Sequence, residues 1–135
     1  PRDKEVRNRM ILDDFEKNSA FIFSGNVIKY GEIIENYFDA IVYLYLPAEV
    51  RIERIKNREK ERWGSEIESG GKMEKQFKDF IEWTSHYDDG AVLSGRTKQK
   101  DEIWLKERSC PVLKIEGNID IDAKIMRVTA FINKS

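Results

Sequence analysis

Ala-Ile-Val-Tyr-Leu-Tyr-Leu at residues 40–46, followed at once by Pro47 and an arginine-rich helix, is the stretch that decides the fold of this 135-residue chain. The run is apolar at nearly every position, as expected for a strand whose two faces are both covered by helices in a parallel sheet. Four arginines follow at spacings of three, four and four: Arg51, Arg54, Arg58 and Arg62. These spacings place the guanidinium groups on neighbouring rows of one helical face. A buried strand leading into such a helix predicts an anion-binding site, with phosphate as the ligand, at the edge of a sheet.

A second interpretation of this helix is an ordinary solvated face. Three glutamates lie within i,i+3 reach of its basic side chains: Glu53, Glu59 and Glu61. Against this, like charges at successive i+4 steps cost an isolated helix roughly 0.2 to 0.5 kcal/mol per pair. Both interpretations stay open on these residues alone.

The composition indicates one folded domain spanning residues 1–135. Hydrophobic residues make up 40% and charged residues 36%, so a core is predicted beneath a densely charged surface. The 24 basic and 25 acidic residues nearly cancel. The chain therefore lacks the positive field of a general nucleic-acid binder, and we expect no nucleic-acid partner.

The single cysteine, Cys110, excludes an internal disulfide and is compatible with a reducing cytosol, so a cytoplasmic location is predicted. It lies just before Pro111 and a predicted strand, which favours a small buried residue over a nucleophile. No apolar run approaches the roughly 20 residues needed to cross a bilayer, so no membrane partner is expected. The chain opens with Pro1 rather than methionine, which suggests processing, proteolysis or an origin inside a longer protein.

Helical and strand-like segments alternate along the chain. The predicted order is helix 4–17, strand 20–23, helix 28–37, strand 40–46, helix 48–63, helix 73–88, a helix after residue 97, strand 111–115 and helix 121–132. Ile33, Ile125 and Ile132 are predicted to face the core. The alternation predicts an α/β layer fold with a mainly parallel sheet, in which ligands gather at the carboxyl ends of the strands.

Three stretches resemble the latter two thirds of a P-loop kinase of the nucleoside monophosphate kinase and shikimate kinase type. They are Phe-Ile-Phe-Ser-Gly-Asn at 21–26, Ile-Val-Tyr-Leu-Tyr-Leu-Pro-Ala-Glu-Val-Arg-Ile-Glu-Arg-Ile-Lys-Asn-Arg at 41–58 and Val-Leu-Lys-Ile-Glu-Gly-Asn at 112–118. The resemblance covers the chain from about residue 20 to its end. It implies a three-layer α/β/α fold with a parallel sheet, P-loop NTPase-like and N-terminally incomplete.

The resemblance also implies roles for particular residues. Arg54, Arg58 and Arg62 would be catalytic arginines of the lid helix, stabilising the charge on the transferring phosphoryl group. The lid itself would span about residues 59–75, with the glycine-bounded segment 64–71 closing to exclude water.

Five further residues match substrate-binding and nucleotide-binding positions of the family. Ser24, Gly25 and Arg96 would contact the phosphate acceptor, whereas Gly117 and Asn118 would lie near the nucleotide base. Simpler roles stay open beside these: Gly25 and Gly117 as turn glycines, and Arg96 as a helix cap or ion-pair partner.

The family's phosphate-binding loop, Gly-x-x-x-x-Gly-Lys-Ser/Thr, does not occur in the sequence. The nearest string, Gly70-Gly71-Lys72-Met73, has Glu66 in place of the first glycine and Met73 in place of the hydroxyl residue. The resemblance therefore predicts a sheet with one strand missing between residues 20–24 and 40–46. Either these strands close up, or another segment or a second copy fills the gap by self-association or strand swapping.

The leading functional hypothesis is that the chain is part of an ATP-dependent phosphotransferase. The complete protein would use ATP and Mg²⁺, and the phosphate acceptor would be a nucleotide or a small molecule. Without the phosphate loop, this chain is expected to bind ATP poorly and to be inactive alone. The alternative is a non-catalytic kinase-like binding or regulatory module that uses the arginine face for an anionic partner.

Overall fold

A two-stranded parallel sheet is the centre of the structure. A computed structural model describes residues 2–28, 30–91 and 95–134. Within them, β1 (Ile41–Tyr45) pairs in parallel with β2 (Val112–Glu116), in a register that sets Tyr43 beside Lys114. The predicted strands 40–46 and 111–115 are confirmed to within one residue.

Six α-helices occur in the described part of the chain. They are α1 (Lys4–Lys17), α2 (Glu32–Glu35), α3 (Ala48–Trp63), α4 (Glu74–Ser85), α5 (Lys98–Lys106) and α6 (Ile121–Lys134). A 3₁₀ turn, Gly64–Ile67, follows α3 directly. The predicted helix 28–37 is shortened to α2, and its Lys29 lies outside the described residues.

Side-chain caps explain where two of these helices begin. An oxygen of Asp3 accepts the N–H of Glu5 at 2.8 Å, and Thr97 Oγ1 accepts the N–H of Lys100 at 3.2 Å. Each cap satisfies a donor that the first helical turn would otherwise leave unpaired.

The predicted three-layer α/β/α, P-loop NTPase-like fold is wrong. The sheet has two strands among the described residues, too few to be covered by helices on both faces. Side chains that such layers would bury are exposed: Leu44 is 61% accessible, Ile125 56% and Ile132 55%. The prediction that Ile125 and Ile132 face the core is therefore wrong. It is also wrong for Ile33, which is 62% exposed.

The predicted strand 20–23 is also wrong, because these residues are in neither helix nor strand. The ring of Phe21 stacks on that of Phe15 with centroids 3.9 Å apart, and Phe23 meets Phe15 edge-on at 5.7 Å. Ile22 between them points to solvent. Aromatic packing on α1 therefore fixes this segment, in place of a backbone ladder.

The buried apolar side chains come from both strands and from three of the helices. They are Phe15 of α1, Ile34 of α2, Tyr43 of β1, Leu105 of α5 and Ile115 of β2. Glu35, next to Ile34, accepts a hydrogen bond from the Trp104 indole and pairs with Arg108, which ties α2 to α5.

Candidate functional site

A cavity of about 620 Å³ lies beside the carboxyl ends of the two strands. Its lining combines apolar, cationic, anionic and neutral polar side chains: Leu44, Arg54, Asn118, Ile119, Asp120, Ile121 and Lys124. The carboxyl ends of parallel strands are where ligands bind in sheets of this kind. This cavity, termed the strand-end cavity, is the candidate site.

Arg54 and Asn118 meet at the rim of the strand-end cavity although they are 64 residues apart in the chain. The Arg54 Nη2 atom donates to Oδ1 of Asn118 at 2.7 Å. The hydrogen bond keeps the Arg54 guanidinium in the cavity lining, where its other N–H groups can donate to a bound anion. Of the residues expected at the site, these two are brought together.

The turn after β2 places Asn118. Gly117 has φ +97°, a left-handed conformation that favours glycine, and its N–H donates to the carbonyl of Tyr45 at 3.1 Å. Two residues beyond Asn118, Asp120 Oδ1 accepts the N–H of Ala123 at 2.8 Å and caps α6. The turn is thus fixed to β1 at one end and to a helix at the other.

Arg58 and Arg62 lie farther along α3. Arg58 pairs with Glu59 at 2.9 Å, and its side chain is 61% exposed. Arg62 lines a separate cavity of about 290 Å³ between α3 and α4, beside Trp63 and Phe77. The three expected catalytic arginines therefore do not converge on one point in this structure.

Arg51 supports the fold. Its guanidinium donates to the carbonyl of Leu46 at 2.9 Å, to that of Thr84 at 3.3 Å and to the carboxylate of Asp88 at 2.7 Å. The side chain is 17% exposed. Of the four arginines that follow β1, this one is turned inward and committed to structural contacts.

A bacterial relative aligns along nearly the whole chain. Over 134 residues, 99% of this chain and 75% of the relative, the sequence is 35% identical to the uncharacterized protein YqaC of Bacillus subtilis (strain 168). The chain belongs to the YqaC family. No protein-family model matches the sequence, and no solved structure matches the fold.

Two of the acceptor-binding residues expected in this YqaC-family chain, Ser24 and Gly25, lie away from the strand-end cavity. They belong to the irregular segment that packs on α1, and both are exposed. Gly25 has φ +131° with open space around it, so the backbone alone accounts for a glycine there.

Arg96 joins a buried polar network. Its Nε donates to Asp101 Oδ2 at 2.7 Å, and Tyr87 donates its hydroxyl to the same oxygen at 2.6 Å. Asp101 is 1% exposed. Because Tyr87 gives its single proton to Asp101, the hydroxyl of Tyr43 donates to Tyr87 in turn.

This network sets the ionisation of the buried tyrosines. Burial, reinforced by the hydrogen bond to Asp101, raises the pKa of Tyr87 far above its ordinary value. Burial likewise raises the pKa of Tyr43. Both hydroxyls stay neutral and serve as hydrogen-bonding groups that anchor the start of α5 to β1.

Sequence reasoning missed Lys124 and Asp120 in the strand-end cavity, and Tyr87 and Asp101 in the buried network. An aspartate just before a helix is a capping signal, and Lys124 lies one turn beyond it. Tyr43 and Tyr45 carry the two hydroxyl groups of β1, and such hydroxyls in an apolar strand are the sequence signal for polar partners.

Clusters of metal-binding side chains are of interest because the complete protein is predicted to use Mg²⁺. Residues 2–28, 30–91 and 95–134 contain no group of three or more His, Cys, Asp or Glu side chains that could hold a metal ion. Mg²⁺ commonly binds through the phosphates of a nucleotide with only one or two carboxylates.

None of the helices described is both long and apolar enough to cross a membrane.

Proposed function

We propose that this chain is part of an ATP-dependent phosphotransferase that acts on a nucleotide or another small molecule, and that it provides the anion-binding side of the site. The observation that supports the proposal is the contact of Arg54 with Asn118 at the carboxyl ends of two parallel strands. A guanidinium at this position suits a phosphate group of the substrate.

In the proposed reaction an acceptor oxygen, from a hydroxyl group or from the phosphate of a nucleotide, bonds to the γ-phosphorus of ATP while the bond to the β-phosphate oxygen breaks. ADP leaves, and a hydroxyl acceptor releases its proton. Negative charge spreads over the phosphoryl oxygens during transfer, and a fixed cation beside them lowers the barrier. Arg54 is the candidate for that cation, and Lys124 lines the same strand-end cavity.

Arg58 and Arg62 take different roles in this proposal. Eight residues of α-helix separate Arg54 from Arg62, which corresponds to about 12 Å along the axis. Arg62 also lines the separate cavity between α3 and α4, so the proposal assigns only Arg54 to the transferring phosphoryl group. The use of ATP and the single free cysteine, Cys110, fit a reducing cytoplasm.

A binding experiment tests the site. The 135-residue chain is titrated with AMP and with inorganic pyrophosphate by isothermal titration calorimetry, as wild type and as Arg54→Ala. Removing one charge-assisted hydrogen bond should weaken binding by about tenfold or more. Lys75→Ala removes another exposed positive charge, on α4, and should leave the affinity unchanged. Equal losses in both variants, or no loss in Arg54→Ala, would contradict the assignment.

A second experiment separates catalysis from binding. Full-length YqaC is incubated with [γ-³²P]ATP, Mg²⁺ and a panel of nucleoside monophosphates and hydroxylated metabolites, and labelled products are separated by chromatography. Labelled acceptor supports the phosphotransferase. Binding of AMP to the 135-residue chain without transfer by YqaC would instead support the alternative, a non-catalytic module for an anionic partner.

A further inference from the structure

The outer edge of β1 presents unpaired backbone groups within the described part of the chain. On the inner edge, the Ile41 N–H donates to Pro111 at 3.0 Å and the carbonyl of Tyr45 accepts from Gly117 at 3.1 Å. Backbone groups alternate between the two edges of a strand, so the peptide groups of Val42 and Leu44 point away from β2. Such an edge is a template for another strand.

Exposed apolar side chains occur on β1 and at the start of α6. Val42 is 36% accessible and Leu44 61%, while Ile121 and Ile125, one turn apart on α6, are 72% and 56% accessible. Leu44 and Ile121 line the same strand-end cavity. No side chain described in α6 is fully buried. Exposed apolar side chains that share one cavity mark a candidate binding surface.

An extended peptide satisfies both features at once. Its backbone can hydrogen-bond to the Val42 and Leu44 edge, while alternate side chains cover Leu44 and Ile121. A docked helix would cover the apolar side chains but leave the edge peptide groups without partners, which costs about 1 to 3 kcal/mol for each buried group. The surface therefore selects an extended strand.

We propose that an extended apolar segment from outside residues 1–135 docks on β1 as a third strand of the sheet. A source of sufficient length exists in the family: 134 aligned residues make up 75% of YqaC, so roughly 45 of its residues lie outside the aligned region. A strand matching the five residues of β1 needs only a small part of that length. This inference does not depend on the phosphotransferase proposal.

Peptide binding tests the proposal. Overlapping fluorescein-labelled 15-residue peptides covering the unmatched part of YqaC are titrated with the 135-residue chain and followed by fluorescence anisotropy. One apolar peptide should bind, and Leu44→Lys or Ile121→Lys should weaken it by about tenfold or more. Ile103→Lys, at an exposed apolar position on α5, should change the affinity less than twofold, by about 0.4 kcal/mol.

Amide hydrogen exchange gives the second measurement. In full-length YqaC, the amides aligned with Val42 and Leu44 should exchange at least about tenfold more slowly than the same amides in the 135-residue chain. Fast exchange at both positions in YqaC would overturn the proposal, even if an isolated peptide binds too weakly to detect. Protection that appears only as the 135-residue chain dimerises would also overturn it, because the occupant would then be a second copy.

Discussion

Arg51, in the first turn of α3, and Asp88, just beyond α4, form an ion pair with 2.7 Å between Nη2 and Oδ2. Asp88 also accepts a hydrogen bond from the hydroxyl of Tyr45, the last residue of β1. Between the two partners runs a helical hairpin, which consists of α3, the 3₁₀ turn and α4. The pair therefore closes the base of the hairpin and fastens it to the end of the strand.

Replacing Arg51 should destabilise the protein. Arg51→Met keeps much of the apolar stem but leaves Asp88 without its charged partner, so we expect the free energy of unfolding to fall by about 1 to 3 kcal/mol. Urea unfolding followed by circular dichroism measures the change. Lys56→Ala, an exposed cation on the same helix, should cost less than about 0.5 kcal/mol. Equal effects of the two variants would contradict the role assigned to Arg51.

Acid should weaken the ion pair between Arg51 and Asp88 and so lower the stability of the protein. Burial alone would raise the pKa of Asp88, but the hydrogen bonds from Arg51 and Tyr45 outweigh it and hold the pKa below the ordinary value of 3.8. A lowered carboxyl pKa gives stability that is present above pH 3.8 and is lost as the pH falls through the folded-state pKa. Urea unfolding between pH 6 and pH 2 should show a drop that is smaller in Asp88→Asn. An unchanged pH dependence in that variant would contradict the prediction.

Alkaline pH should destabilise the folded protein because of Tyr87. Because its pKa is raised in the folded protein, the unfolded chain ionises first, and stability should decline as the pH rises above 10.0, the ordinary tyrosine value. Tyr87→Phe removes this decline in part and costs about 1 to 2 kcal/mol at neutral pH, since Asp101 loses a donor. Urea unfolding from pH 7 to 11 measures both effects. Tyr37→Phe, at a 41% exposed position, is the control and should change neither.

Adjacent glycines in the hairpin turn should respond differently to alanine. A Cβ on Gly71 would lie 2.2 Å from the backbone oxygen of Glu66, whereas Gly70 has open space and only its φ of +84° to oppose a side chain. Gly70→Ala should cost about 1 to 2 kcal/mol from backbone strain. Gly71→Ala should cost more, because two backbone segments must separate. Thermal unfolding of both variants measures the difference, and a smaller loss for Gly71→Ala would be inconsistent with the packed turn.

The sequence predicted local elements well because their signals are local. Proline at position 47 ends β1 and begins α3, and glycine at position 64 ends that helix. The prediction of a strand at 20–23 was wrong because a short aromatic run can either pair in a β-sheet or pack as a cluster of aromatic rings. Here the rings pack on Phe15, which the run itself does not predict. Alternating helices and strands also do not fix how many strands pair, so three layers could not be inferred from the pattern.

The candidate site was predictable only in part. Arg54 and Asn118 were expected from different elements, and their contact depends on the pairing of β1 with β2, which brings their flanking segments together. Arg51 and Arg54 have the same chemistry three residues apart, yet one is committed to Asp88 and the other faces a cavity. The difference arises because Thr84 and Asp88 lie beside Arg51 and accept its hydrogen bonds. The sequence of α3 alone does not predict where these two residues lie.

A hairpin fastened only at its base can rotate about that base. From Arg51 to the Gly64 end of α3 is about 20 Å, so a rotation of about 10° would carry the Gly64 end through about 3.5 Å. Arg54, close to the pivot, would shift by less than half as much, whereas Arg62 would move almost the full distance. The arginines of one helix would thus differ in reach: those near the strand would keep their positions, and those near the tip would move.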